Sequence, residues 1–326
     1  MQRRSGSHRT GRQRHRGSKP GRHRCAGRCH SLLAGTDSRA PRAGEGGLEH
    51  RTQRARDGGG AGVGRSGTCS GGAPMKISAC IITLNEESNL RRCLQSCAGL
   101  VDEIIVVDSG SSDGTETIAR EFGARWVRQD WLGFVGQKNR ALELAAHEWV
   151  FSIDADEEIS PALSQEIVRI KQTGAPEAVS GYSMPRCVLY DGRWIRHGDW
   201  YPDRLLRLFR KQGARFAGGK VHERLEVGAG RVESLRGDLF HYSFKDAADH
   251  WARCQKYARL WAETQHEAGR TCGPLAPWSH AAFRWLRGYL LRMGFLDGAQ
   301  GWRIAQMNAR EVHLKYNLLR QMRTTA

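Results

Sequence analysis

Residues 76–84, KISACIITL, form a continuous apolar run, as do 104–108, IIVVD, and 149–153, WVFSI. Each is short and rich in Ile and Val. That pattern predicts strands of a parallel sheet covered on both faces. Helical patterning occupies 88–98, 114–123 and 137–146, and the alternation predicts an α/β class with right-handed crossovers. From Asp246 onward the pattern turns helical. Trp251, Cys254, Ala258 and Trp261 recur at spacings of three and four, marking one apolar face. Residues 279–293 interleave Phe283, Trp285, Leu286, Tyr289, Leu290 and Leu291 with Arg284, Arg287 and Arg292. Such an amphipathic helix suits either an anionic membrane surface or packing on the main domain with Arg outward.

Sheets of this class bind ligands at the carboxyl ends of their strands, and each run ends in polar chemistry. The first ends in Thr83-Leu84-Asn85-Glu86-Glu87, the second in Asp108-Ser109-Gly110-Ser111-Ser112-Asp113-Gly114-Thr115, the third in Asp154-Ala155-Asp156-Glu157-Glu158. Three acidic loops on one edge repel unless something positive sits among them. A divalent cation, or donors on a sugar and a base, would satisfy them. Asp113 followed by Glu116 predicts a capping box, and Asn85 to Asn89 reads equally as a helix start. Asp108 follows a buried strand directly. Asp154 and Asp156, spaced by two at a strand end, can point the same way. Their oxygens suit Mg²⁺ or Mn²⁺ with positions left open for phosphate.

Composition changes the picture at Met75. The 326-residue chain carries 51 Lys+Arg against 34 Asp+Glu, net +17, yet residues 1–74 alone hold 16 Lys+Arg and 4 Asp+Glu, 17 of 39 Gly and no Phe, Trp or Tyr. That segment cannot build a core. It reads as a basic extension, or as sequence upstream of a start at Met75, and not as a signal peptide. Phosphate neutralisation by such a tail would give salt-sensitive nucleic-acid binding. Gly62-Val63-Gly64-Arg65-Ser66-Gly67 spells a dinucleotide fingerprint, but no strand precedes it, so it reads as a chance match. Cys25 and Cys29 lack a partner pair at zinc spacing, and Cys80, Cys93 and Cys97 read as packing residues. No stretch is apolar enough to span a bilayer.

TLNEE at 83–87, VVDSGSSDGT at 106–115, GQKNRAL at 136–142 and FSIDADEEIS at 151–160 together resemble an inverting family 2 glycosyltransferase with the GT-A fold. HGDWYPDRLLRLFR at 197–210, KVHERLE at 220–226, LFHYSF at 239–244 and GFLDG at 294–298 resemble its lipopolysaccharide-core glucosyltransferase branch. The resemblance implies a Rossmann-like, mostly parallel sheet flanked by helices, with a C-terminal helical extension. The implied organisation is a basic extension at 1–74, a nucleotide-sugar-binding half at 75–185, an acceptor-binding and catalytic half at 186–245 and amphipathic helices at 246–326.

The resemblance also implies roles. Asp108 would hold the uracil or ribose end of the nucleotide, helped by Thr83, Asn85 and Glu86. Asp154 would lie near ribose and metal, Asp156 would ligate the metal, and His241 matches a C-terminal metal-binding histidine. Lys138 reads as a phosphate contact or a solvated helix lysine. The family's x-E-D triplet is replaced here by Val221-His222-Glu223. Glu223 is the first candidate for the base and Asp203 the second, the alternative for each being an exposed pairing with Arg224 or Arg204. Trp194, His197 and Trp200 read as an acceptor wall or as a lid packing inward.

The function so implied is metal-dependent, inverting transfer of a hexose, glucose from UDP-glucose, onto a lipopolysaccharide inner-core sugar. The cofactor would be Mg²⁺ or Mn²⁺. The partners would be a nucleotide-sugar donor, a lipid-linked saccharide acceptor and the anionic cytoplasmic face of the inner membrane, with no specific nucleic acid. The rival readings are transfer onto a polyprenyl phosphate or another glycan, nucleic-acid binding through the tail, and a non-catalytic sugar-binding module.

Overall fold

The structure is a computed structural model that describes residues 75–218, 223–244 and 246–324. The basic extension and its glycine motif lie outside the described residues, as does His222. The first half alternates as the apolar runs require: β1 (Ile77–Thr83), α1 (Glu87–Cys97), β2 (Glu103–Asp108), α2 (Thr115–Glu121), β3 (Arg125–Arg128), α3 (Gly133–Leu144) and β4 (Trp149–Ser152). The sheet order β3-β2-β1-β4 is parallel throughout, with Thr83 beside Asp108 and Cys80 beside Ser152. β3 was not expected. Its RWVR sequence, with an exposed Arg at each end, lacks the buried run that marks the other strands, as befits an edge position.

The second half turns the sheet mixed. It comprises β5 (Glu157–Ile159), α4 (Pro161–Thr173), β6 (Val179–Tyr190), β7 (Arg193–Ile195), β8 (Asp203–Arg210), β9 (Arg215–Gly218), β10 (Glu223–Glu226), β11 (Arg231–Ser234) and β12 (Leu239–His241). The main sheet runs β3-β2-β1-β4-β8-β6-β12-β5, with β7 and β11 also paired to β6, while β9 and β10 form a separate ribbon. β8 lies antiparallel between β4 and β6, which carries side chains of β6 and β8 toward the carboxyl end of β4. The expected boundary at 185/186 falls inside β6, so no linker separates the two halves. α4 begins where Ser160 accepts the Leu163 N–H at 3.2 Å and Pro161 takes the first turn.

Apolar side chains fill both faces. Ile77, Ile81, Leu90, Leu94 and Phe151 pack on one, Cys80, Ile105, Val107, Leu142 and Phe209 on the other. The six described cysteines are free, and burial pushes the Cys80 thiol up to about 12, as a packing residue requires.

α5 (Ala247–Glu267), α6 (Ala276–Leu286) and α7 (Gly298–Thr324) form the C-terminal region, α7 packing on both α5 and α6. The buried stripe of α5 is His250, Cys254, Ala258 and Ala262, with Trp251 and Trp261 only half-buried. The helix expected over 279–293 forms as a continuous helical stretch over 276–291 that changes pitch on the way. α6 ends at Leu286, a π-helical segment spans Arg287–Leu291, and a 3₁₀ turn follows over Gly294–Asp297. Two glycines in this stretch sit in close approaches. A Cβ on Gly288 would lie 3.0 Å from Asp199 Oδ2, and one on Gly294 2.6 Å from the Gly288 carbonyl oxygen. Among the described residues no helix is long and apolar enough to cross a membrane.

His250 is buried against Tyr190, Trp200 and Phe244, its Nδ1 3.1 Å from the Tyr190 hydroxyl. Burial, reinforced by Arg253 and opposed by Asp249, pushes the imidazole down from 6.5 to about 4. The unfolded chain therefore binds the extra proton first, and stability falls as pH drops through that window. A shift of this size corresponds to ~3 kcal/mol. Urea unfolding should show the decline, and His250→Gln should shrink it by about that amount. Equal declines in the two proteins would contradict this origin.

Candidate active site

The β1 and β2 ends form one hydrogen-bonded platform. Asp108 is buried; its Oδ1 accepts the N–H groups of Gly110 at 2.8 Å and Ser111 at 2.7 Å, and its Oδ2 accepts the hydroxyls of Thr83 at 3.0 Å and Ser111. Gly110 has φ +99°, which only glycine adopts without strain. Asn85 Oδ1 accepts the Ser112 N–H at 2.9 Å, and the Glu86 N–H donates to the Thr115 hydroxyl at 2.8 Å. Thr83, Asn85, Glu86 and Asp108 are thus gathered at adjacent strand ends. The Asp113 capping box is not formed, because Gly114 takes the cap position. Asp113 accepts the Thr115 N–H at 3.0 Å, but Glu116 turns away to Arg120 at 2.7 Å. Gln137 is fully buried and donates to the Ser109 hydroxyl at 2.7 Å, a contact that sequence reading missed within GQKNRAL.

The third acidic loop is held by the protein's own cations. Asp203, Arg186, Glu157, Arg207, Asp154, Lys138 and Glu223 form a ladder of alternating charge. Its successive N···O distances are 2.6, 3.7, 2.6, 2.6, 3.0 and 2.6 Å. Its rungs come from β8, β6, the start of β5, the loop after β4, α3 and the start of β10. Lys138 is 5% exposed, so it is no solvated helix lysine. Burial opposes charge on Asp154, but Arg207 and Lys138 overcome it and hold the carboxyl well below the usual range. Burial raises Glu157 despite Arg207, because Asp154 adds to the rise and Arg186 stands off at 3.7 Å. Burial works against Lys138, yet Asp154 and Glu223 raise it. Sequence reading missed Arg186, Arg207 and Glu157. The available signal was a guanidinium inside an apolar strand run, Leu206-Arg207-Leu208, which burial tolerates only when paired.

Asp154 and Asp156 have different neighbours. Both Asp154 oxygens face cations, Oδ1 toward Lys138 and Oδ2 toward Arg207. Asp156 faces His241 instead, Oδ2 to Nε2 at 3.4 Å, with both side chains buried. His241 Nδ1 makes no hydrogen bond among the described residues. No group of three or more His, Cys, Asp or Glu able to hold a metal occurs among the described residues. One carboxylate oxygen and one imidazole nitrogen nevertheless fit Mg²⁺ or Mn²⁺ as the protein's share of a site, since such ions commonly take one or two protein ligands plus substrate phosphates.

The base candidates occupy the two ends of the ladder. Glu223 Oε1 meets Lys138 at 2.6 Å, and its buried Oε2 has no hydrogen-bond partner among the described residues. Asp203 meets Arg186 at 2.6 Å. Arg224 pairs with Glu226 and Arg204 donates to the Leu235 carbonyl, so neither exposed pairing occurs. Of the aromatic loop, Trp194 stacks on Phe240 at 4.3 Å between ring centres and stays half-buried. Trp200 is 2% exposed, stacked on Phe244, so the inward-packing reading replaces the acceptor wall there. His197 is tied to Asp297 through its ring and its backbone N–H, a bracing contact.

A family model described as Glycosyl transferase family 2 matches residues 78–237. The lipopolysaccharide core biosynthesis glycosyltransferase LpsC of Rhizobium meliloti is 34% identical over 206 residues, 60% of this chain and 74% of that protein. An uncharacterized glycosyltransferase of Rickettsia conorii is 30% identical over 241 residues, 70% of this chain and 83% of that protein. Among solved structures, the mannosyltransferase PcManGT from Pyrobaculum calidifontis, in complex with GDP-Man and Mn²⁺, matches at TM-score 0.45 and 17% identity, covering 76% of this chain and 89% of that one.

Arg207 joins Asp154 to Glu157, so Arg207→Met takes a cation from both carboxylates and leaves only Arg186, at 3.7 Å, beside the buried Glu157. The variant should lose ~3–5 kcal/mol in urea unfolding. A loss below ~0.5 kcal/mol, typical of surface changes, would mean that the ladder does not hold the loop.

Proposed function

This chain belongs to glycosyltransferase family 2, and from that premise we propose that it is an inverting hexosyltransferase moving glucose from UDP-glucose onto an inner-core sugar of lipopolysaccharide. The likeness to LpsC supports the acceptor class. Thr83, Asn85, Glu86 and Asp108 receive the uridine end of the donor, and Asp154 lies toward the ribose. Asp156 and His241 would hold Mg²⁺ or Mn²⁺, which would supply Lewis acidity to the leaving diphosphate.

Inversion requires one direct displacement. The acceptor hydroxyl attacks the anomeric carbon from the face opposite the diphosphate and gives its proton to a carboxylate. Glu223 takes that proton. The observation that carries this reading is the Lys138 bridge: one ammonium fixes Glu223 Oε1 at 2.6 Å and Asp154 at 3.0 Å, leaving Glu223 Oε2 without a donor among the described residues. Trp194 offers an aromatic face to the acceptor sugar, and Asp203 is the second candidate for the base.

The exposed apolar side chains Leu275, Trp278, Phe283, Leu286, Leu290 and Leu291 support contact with an anionic membrane on its cytoplasmic face, where a lipid-linked acceptor is presented.

Glu223→Gln should cut transfer by ~10²–10⁴-fold while UDP still raises the melting temperature as in the parent protein. Unchanged turnover would move the role to Asp203. Asp156→Ala should abolish the Mn²⁺-dependent part of UDP stabilisation, and stabilisation that survives intact would remove Asp156 from the metal site. Recovery of the whole protein in the soluble fraction of lysed cells, without detergent or high salt, would contradict membrane contact.

A further inference from the structure

Away from the ladder, three arginines converge on one carboxylate. Asp199 is 1% exposed and lies in the short 3₁₀ turn Gly198–Trp200. Arg287 Nη2 is 2.9 Å from Oδ1, Arg284 Nε 3.1 Å from Oδ2, and Arg292 Nη1 3.5 Å from Oδ1. One carboxylate cannot neutralise three guanidinium groups, so the cluster carries an excess of two positive charges. Glu311 lies near Arg284 but is engaged by Lys315 at 2.7 Å, which leaves the excess unchanged. Burial holds Arg284 below the usual guanidinium range, with Asp199 only partly offsetting it and Arg287 adding to the fall.

The arrangement is built rather than incidental. Gly288 allows Asp199 to approach α6, and Gly198, at φ +77°, donates its N–H to the Arg292 carbonyl oxygen at 2.8 Å. Arg284 and Arg287 are largely covered, while the Arg292 side chain is 53% exposed and too far from Asp199 for a hydrogen bond. One guanidinium fork is therefore left for an outside ligand. Leu290, Leu291 and Met293, all exposed, flank that fork. Asp199 and Trp194 lie in one segment, 190–201.

We propose that Arg292, backed by Arg287 and Arg284, is a receptor for a phosphate monoester or diester carried by an amphiphilic molecule. Guanidinium forks match phosphate oxygens bidentately, and the flanking Leu and Met side chains suit the apolar part. The phosphate could belong to a membrane lipid headgroup or to a phosphorylated saccharide. The site stands apart from the transfer chemistry, and its test uses no turnover.

The test uses the whole protein in two arms. In the first, inorganic phosphate is titrated against chloride at matched ionic strength while thermal unfolding is followed. In the second, the protein is floated with phosphatidylcholine vesicles with and without phosphatidylglycerol. Stabilisation by phosphate or capture by the anionic vesicles, reduced at least several-fold in Arg292→Gln, supports the site, and the responding arm identifies the source. Leu291→Ser separates this from simple apolar contact: it should weaken vesicle capture but leave phosphate stabilisation intact. If neither probe binds, or Arg292→Gln binds both as the parent does, the proposal is overturned.

Discussion

Negative charge gathered at the carboxyl edge of a parallel sheet is the constraint around which this molecule is arranged. Asp154, Asp156 and Glu157 fall within four consecutive residues, and each is buried or partly buried. In a low-dielectric site such charges disrupt one another unless cations stand between them. The fold supplies those cations from a distance in sequence. β8 runs antiparallel between β4 and β6, which brings Arg207 to Asp154 and Glu157 and Arg186 to Glu157 and Asp203. α3 contributes Lys138. The ladder thereby couples the two halves of the sheet, since each strand pairing helps to place one ion pair.

The same device divides labour between two neighbouring aspartates. Asp154 is committed to Lys138 and Arg207, while Asp156 turns to His241 on β12. A D-x-D spacing alone suggests one shared ligand set. The cations that hold Asp154 separate the pair, and the Asp156 carboxylate and His241 imidazole are the donors proposed for a divalent ion. Lys138 then links the strand-end loop to Glu223, so the group proposed to accept a proton is positioned by the charge balance that stabilises the loop.

Much of the first half was legible because buried parallel strands announce themselves as continuous apolar runs, and β1, β2 and β4 fall where KISACIITL, IIVVD and WVFSI predict. β3 escaped because an edge strand needs only alternation, and RWVR offers two apolar residues between arginines. Residues at strand ends, such as Asp108 and Asn85, were legible because the class of sheet dictates where polar chemistry gathers. The partners of Asp154 were not, because Arg186 and Arg207 lie on strands whose order in the sheet no local pattern reveals. Trp200 stays open between two readings in sequence for a related reason: an aromatic ring with a polar tip looks alike whether it lines a cleft or packs on Phe244. The helix expected over 279–293 forms over 276–291, but its π-helical last turn and the close approach of Asp199 to Gly288 are features that sequence spacing cannot show.

A crystal structure of the protein grown with UDP and Mn²⁺ tests this division of labour most directly. The account predicts density for the ion against Asp156 and His241, with Asp154 still paired to Lys138 and Arg207. An ion bound by Asp154, with its two cations displaced, would contradict it.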